Sequence, residues 1–189
     1  FSASSAISKE LHLEYDGEPY LRKHSLYHEF ENVATKAELE YFVFAVLRNP
    51  MEIAVTVYEK MKANAKGNFT NTALFSENGG HISKQQRQRF NYIKENNSSF
   101  QQYFKKFHQK PYDNLSSLTI DNCDFVIKYE TIAEDYLLAL KKLGVRNPKQ
   151  LPVTNKTAGK NNDLLGYYTS DIKEISIAVF GPFLEKYNY

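Results

Sequence analysis

Tryptophan is absent from these 189 residues, methionine occurs twice and cysteine once. Without Trp, aromatic packing has to rest on the 14 Tyr and 13 Phe. The lone Cys123 excludes an internal disulfide and a thiolate metal cluster, and such cysteine usage leans toward a reducing compartment. Charge of one sign is lacking too: 24 Lys and Arg stand against 22 Asp and Glu, a net of +2. That balance gives no whole-chain attraction to nucleic acid or a membrane surface, so any anion binding must be local. No run is long and apolar enough to span a bilayer, and no signal-peptide pattern is visible. A Gly-x-x-x-x-Gly-Lys-Ser/Thr loop is also missing, which argues against a nucleotide-dependent phosphotransferase of that type.

What is present is organised around residues 41–62. Phe42-Val43-Phe44-Ala45-Val46-Leu47 is an unbroken apolar run of strand-forming residues, suited to a strand covered on both faces. Arg48-Asn49-Pro50 stops it and starts a helix, with Asn49 as N-cap, Pro50 in the first turn and Glu52 in the capping-box place. An arginine and fresh helix N–H groups then converge, which is how an anion is held; a strand-to-helix turn with a solvated arginine is the plainer reading. Thr56 lies two turns on, on the same helical face as Asn49.

The rest of the chain repeats this alternation. A small, hydroxyl-rich start, Ser2-Ala3-Ser4-Ser5-Ala6, runs into a predicted helix from about Ser4, the pattern that brings backbone amides to a phosphate. Lys23-His24 precedes a short acidic segment containing His28, and a histidine there can take a proton from a hydroxyl at neutral pH. Residues 64–83, rich in Asn, Gly, Ser and Thr, are expected to form a mobile loop. Two basic helical segments follow, with Lys84, Arg87, Arg89, Lys105 and Lys106 as the candidates should an anionic ligand bind there. Residues 123–130 read as a second strand, ended by Glu130. Thr131 and Glu134 then predict a capping box on a helix running to Leu143 and stopped by Gly144. Last come Leu151-Pro152-x-x-Asn155, a Lys156 and Lys160 loop, a predicted Tyr167-Tyr168-Thr169 helix and a short closing aromatic helix. Alternating strands and helices predict an α/β domain with a parallel sheet wrapped by helices and a ligand at the carboxyl ends of the strands.

In this order, over nearly the whole chain, these motifs resemble the PAPS-dependent sulfotransferases, in particular those of bacterial type and those acting on carbohydrates. The resemblance implies a P-loop-like three-layer fold, a central parallel sheet flanked by helices. It implies a single domain over 1–189, expected to lack upstream residues that include the first strand. PAPS would be the cofactor and adenosine 3′,5′-bisphosphate the product, with the sulfuryl group moving to a hydroxyl or amine of a small molecule or carbohydrate. Ser2, Ala3, Ser4, Ser5 and Ala6 match the 5′-phosphosulfate loop, with Ala3 at its glycine and Phe1 where the family carries a lysine. Arg48 and Thr56 match the 3′-phosphate segment, Lys156 and Lys160 the closing loop, and His24 the acceptor-facing base, with His28 second. No metal, nucleic acid or membrane is implied. The compartment expected is the cytoplasm, or the Golgi lumen if a longer parent carries an anchor. Because of Phe1, the alternative is a non-catalytic binding protein that retains the fold.

Overall fold

Two four-residue strands and the helices around them follow from the apolar runs. The computed structural model describes residues 3–22, 25–114, 117–152 and 163–189. They form helices α1 (Ser4–Tyr15) and α2 (Tyr27–Glu31), strand β1 (Phe44–Leu47), helices α3 (Pro50–Lys62), α4 (Lys84–Glu95), α5 (Phe100–Phe107) and α6 (Ser117–Ile120), strand β2 (Phe125–Lys128), and helices α7 (Ile132–Lys142) and α8 (Lys173–Lys186). The protein is therefore mixed, mostly helical, with a two-stranded parallel sheet. Among the described residues no helix is long and apolar enough to cross a membrane. Two compact units are formed, one by Phe1–Asn49 with Asp113–Thr154, the other by Pro50–Tyr112 with Asn155–Tyr189.

The first unit carries the sheet. β1 and β2 pair in parallel with Phe44 opposite Phe125 and Leu47 opposite Lys128. A parallel pair cannot be closed by a tight turn, and the crossover here is the whole stretch of residues 48–124 between the two strands. The pairing starts two residues later than the apolar run suggests. Asp124 marks the start: its carboxylate accepts from the Val43 N–H at 2.7 Å, while its own N–H donates to the Val43 carbonyl at 2.9 Å. Ile127, Tyr136, Ala139 and Leu140 are fully buried and pack with Ile7 of α1, so α1 and α7 both cover the sheet. Gly144 ends α7 as expected, at a φ of 83° that favours glycine. The capping box does not form. Instead, Asp135 accepts from the Lys128 N–H at 2.9 Å and from the Thr131 hydroxyl at 2.8 Å, because a 3₁₀ turn over Tyr129–Thr131 comes first.

The second unit is helical around an aromatic core. Tyr58, Tyr103, Phe104 and Phe180 are buried, and Phe100 meets Tyr58, Tyr167 and Tyr168 edge-on at 5.1–5.4 Å. Rings in this arrangement add attraction beyond their buried area. The Tyr58 hydroxyl donates to the Ser98 carbonyl at 2.8 Å, which satisfies a polar atom inside that core. The predicted Tyr167–Thr169 helix is a turn. Its tyrosines are held by their hydroxyls, Tyr167 on Glu59 and Tyr168 on the Met51 carbonyl. The closing aromatic residues, with Pro182 among them, belong to the 14-residue α8 rather than to a short helix of their own.

Residues 64–83 are built rather than loose. Three 3₁₀ turns succeed each other, and asparagine side chains pin them: Asn64 to Thr70 and Phe69, Asn71 to the Ala73 N–H, Asn78 to the Thr72 carbonyl. Asn and Gly were the residues that suggested mobility, and here they supply the turn conformations. A Cβ on Gly80 would lie 2.0 Å from the Leu74 carbonyl carbon, so only glycine fits there.

At the end of α5, His108 lies flat on Phe104, with ring centroids 4.7 Å apart and 9° between planes. Its Nε2 is buried without a hydrogen-bond partner. Burial, and then the nearby Arg89 charge, push its pKa down to about 4. The unfolded chain takes up this proton near the ordinary value of about 6.5, whereas the folded protein resists it down to about 4. The contribution to stability is therefore whole above pH 6.5 and is lost as pH falls from 6.5 to 4, by an amount on the order of 3 kcal/mol. His108→Phe keeps the stack and removes the titration. Urea unfolding at pH 7.5 and 4.5 should show wild type losing more stability than the variant; equal losses would contradict this.

Candidate functional site

Two of the predicted anion-holding positions belong to the strand-bearing unit. α1 begins with Ala3 as N-cap at φ 59° and ψ 6°, in the left-handed region. This is the residue that matches a glycine, and alanine pays a steric cost there that glycine does not. The Ala3 carbonyl accepts from the Ala6 and Ile7 N–H groups at 2.8 and 3.1 Å. No side chain caps the helix, no acidic residue stands in its first turn, and the Ser4 and Ser5 side chains are exposed. The Ser4 and Ser5 N–H groups are thus left pointing out of a 12-residue helix without a partner among the described residues. Such groups carry the positive end of the helix dipole.

The second position follows β1. Parallel pairing in register sets the residue after Leu47 beside the residue after Lys128, that is Arg48 beside Tyr129. The Arg48 guanidinium carbon lies 4.2 Å from the Tyr129 ring centroid, and the residue is 7 % exposed. A ring face holds the planar cation by electrostatics and stacking and so fixes the plane of the guanidinium. Next along the chain, the Asn49 N–H donates to Glu130 Oε1 at 2.9 Å. The Glu130 carboxylate thus holds the backbone where β1 gives way to α3.

The remaining predicted residues are placed as follows. Thr56 is 2 % exposed, on α3 in the helical unit. Ala6 is half-buried in the first turn of α1. His28 is exposed on the five-residue α2, where its imidazole makes no hydrogen bond among the described residues. Beside it, Glu29 is held below the usual carboxylate range, first by the Leu26 N–H at 2.7 Å and then by Arg22 at 2.9 Å. Ser2, His24, Lys156 and Lys160 lie outside the described residues. No group of three or more His, Cys, Asp and Glu side chains is placed to hold a metal ion among the described residues.

Tyr129 was not singled out in the sequence. A parallel partner strand in register is the signal for it, since the register fixes which residue faces Arg48. Asp135, which with Glu134 matches the acidic pair of the family's helix after the strand-end Glu130, is the member of that pair that holds Thr131 and the Lys128 N–H.

What these features define is a mixed α/β protein whose strand-bearing unit offers an open helix N-terminus and a stacked arginine at a strand end. Comparison with protein-family models, with curated proteins and with solved structures returned no match.

The left-handed Ala3 gives a direct test of the α1 start. Ala3→Gly removes a cost of about 1 kcal/mol in the folded state, partly offset by glycine's greater freedom when unfolded. Ala3→Val adds a β-branched side chain at the same φ and should destabilise the protein by at least about 1 kcal/mol relative to Ala3→Gly. Thermal melts rank the three proteins; valine melting level with glycine would show that Ala3 is not left-handed.

Proposed function

We propose that the chain is a PAPS-dependent sulfotransferase, moving a sulfuryl group to a hydroxyl or amine of a small-molecule or carbohydrate acceptor. The observation that carries the reading is Ala3. It matches the family's loop glycine, and among the described matched positions it alone has the backbone conformation that a glycine would be needed for. The finer architecture that goes with this reading is the three-layer, P-loop-like arrangement around a larger parallel sheet.

PAPS supplies an activated sulfuryl group on a good phosphate leaving group. The residues here fit such an anion: unpartnered amides at Ser4 and Ser5 suit the 5′ side, and Arg48, already oriented by Tyr129, suits the 3′-phosphate. Lys156 and Lys160 would close over the nucleotide, and His24, or else His28, would take the acceptor proton. Division of labour follows from these assignments: affinity for nucleotide rests on the backbone amides and Arg48, turnover on the histidine. The alternative is a binding protein that keeps the fold without the chemistry. Phe1 favours it, standing where the family's lysine would stabilise charge on the bridging oxygen.

Arg48 discriminates between phosphates. Arg48→Ala should weaken binding of adenosine 3′,5′-bisphosphate by about 1.5–3 kcal/mol and leave adenosine 5′-monophosphate nearly unchanged. Calorimetry on wild type and variant, with circular dichroism to show the fold intact, measures both. Equal loss for the two nucleotides contradicts the assignment. Separately, His24→Ala should lower turnover roughly 10²–10⁴-fold with nucleotide affinity kept; full turnover in that variant would move the role to His28.

A further inference from the structure

The first turns of α4 are rigidly started. The Ser83 hydroxyl accepts from the Gln86 N–H and Gln86 Oε1 accepts from the Ser83 N–H, at 3.2 and 2.8 Å. From that start, Lys84, Arg87, Gln88 and Asn91 fall at i, i+3, i+4 and i+7, so they form one stripe along the helix. Phe69 and Phe75 stand across from this stripe. Together the six residues line an open depression of about 330 Å³, the lower end of the range for small-ligand sites.

The lining divides into fixed and free groups. Phe69 is locked by stacking on the buried Phe90, at 5.4 Å with 14° between planes. Phe75 is held through its bridge to Ile82 and by the Arg87 guanidinium, 4.1 Å from its centroid. Arg87 is committed further, since it also pairs with Glu77. Hydrogen bonding to Arg87 holds the Glu77 carboxyl below its usual range, after the effect of its own backbone N–H. Lys84, Gln88 and Asn91 are different. Their side chains are exposed and make no hydrogen bond or ion pair among the described residues.

Two unengaged amides, one unengaged ammonium and rigid ring faces make a particular combination. Each amide offers two donors and an acceptor, matching vicinal hydroxyls. Ring faces of Phe accept the apolar C–H face of a sugar. With Arg87 balanced by Glu77, the net charge of the rim is a single positive charge on Lys84. One cation is too few for a nucleic-acid backbone, whose binding rests on many phosphate contacts. It matches one carboxylate. We propose that this depression binds an acidic saccharide, its carboxylate on Lys84 and its hydroxyls on Gln88 and Asn91. The site stands independently of the nucleotide reading, because all six residues belong to the helical unit and none is assigned to PAPS.

The test is equilibrium binding of the full chain to a glucuronate-containing, unsulfated octasaccharide, by calorimetry at two salt concentrations. Carboxyl-reduced octasaccharide and a glutamate octapeptide are the comparison ligands. The acidic octasaccharide should bind, with the reduced form and the peptide each at least tenfold weaker. Lys84→Ala should cost about tenfold, Gln88→Ala with Asn91→Ala at least as much, and Lys173→Ala on α8 nothing. These side chains are exposed, so the variants should fold, and near-ultraviolet circular dichroism confirms it. Lack of binding at millimolar octasaccharide overturns the proposal. So does equal loss from Lys84→Ala and Lys173→Ala, which would mean unspecific charge attraction, and so does a peptide binding as well as the sugar. Adenosine 3′,5′-bisphosphate binding, measured on the same samples, reports on the nucleotide reading separately.

Discussion

Parallel pairing of Phe44–Leu47 with Phe125–Lys128 is the interaction on which the arrangement of the candidate site depends. Both strands end at the same edge in the same register, so the residues that follow them become neighbours although they are far apart in sequence. Arg48 thereby gains the Tyr129 ring, and the Asn49 N–H gains the Glu130 carboxylate. A shift of register by one residue would reverse every side chain of one strand and separate both pairs. α1 and α7 maintain the register by covering the sheet with Ile7, Tyr136, Ala139 and Leu140. Strand pairing, packing and site geometry are here one problem with one solution.

The helical unit solves a different problem, how to bury many large rings without tryptophan. Three tyrosines there set their hydroxyls on a carbonyl or carboxylate, Tyr58 on Ser98, Tyr167 on Glu59 and Tyr168 on Met51, whereas Tyr103 buries its hydroxyl without a hydrogen-bond partner among the described residues. His108 is a titratable ring used as a flat aromatic filler and kept neutral by burial. The turns over residues 64–83 then rest on this core through Phe69 and Phe90. Rigidity passes from the buried rings outward to the depression beside α4.

Local signals carried over well to local structure. The strands predicted at 42–47 and 123–130 form over Phe44–Leu47 and Phe125–Lys128, with Tyr129 and Glu130 turning into a 3₁₀ helix instead; Pro50 opens α3, and Gly144 closes α7. Ala3 was legible only through its match to a glycine, because nothing in alanine itself announces a positive φ. What composition could not reveal is how asparagine is spent. In 64–83 the same residues that suggest a loose loop build three pinned turns, since an Asx side chain can bond its own backbone as readily as it can meet water. Likewise Thr131 and Glu134 had the spacing of a capping box, and the preceding 3₁₀ turn gave the bond to Asp135 instead. Basic runs showed the opposite limit: of the five cations marked, Arg87 and Lys105 are paired with Glu77 and Asp171, and only Lys84 lines the depression unpaired. Pairing depends on tertiary partners that spacing along one helix does not contain.

The central claim is that the α1 start and the end of β1 receive the two phosphates of one nucleotide. The most direct measurement is a titration of ¹⁵N-labelled protein with adenosine 3′,5′-bisphosphate, followed by amide chemical shifts. The account predicts saturable shifts at Ser4 and Ser5 and at Arg48 and Asn49, with adenosine 5′-monophosphate moving the first pair far more than the second. Saturable binding that leaves all four amides unmoved, or no binding at millimolar nucleotide, would contradict it.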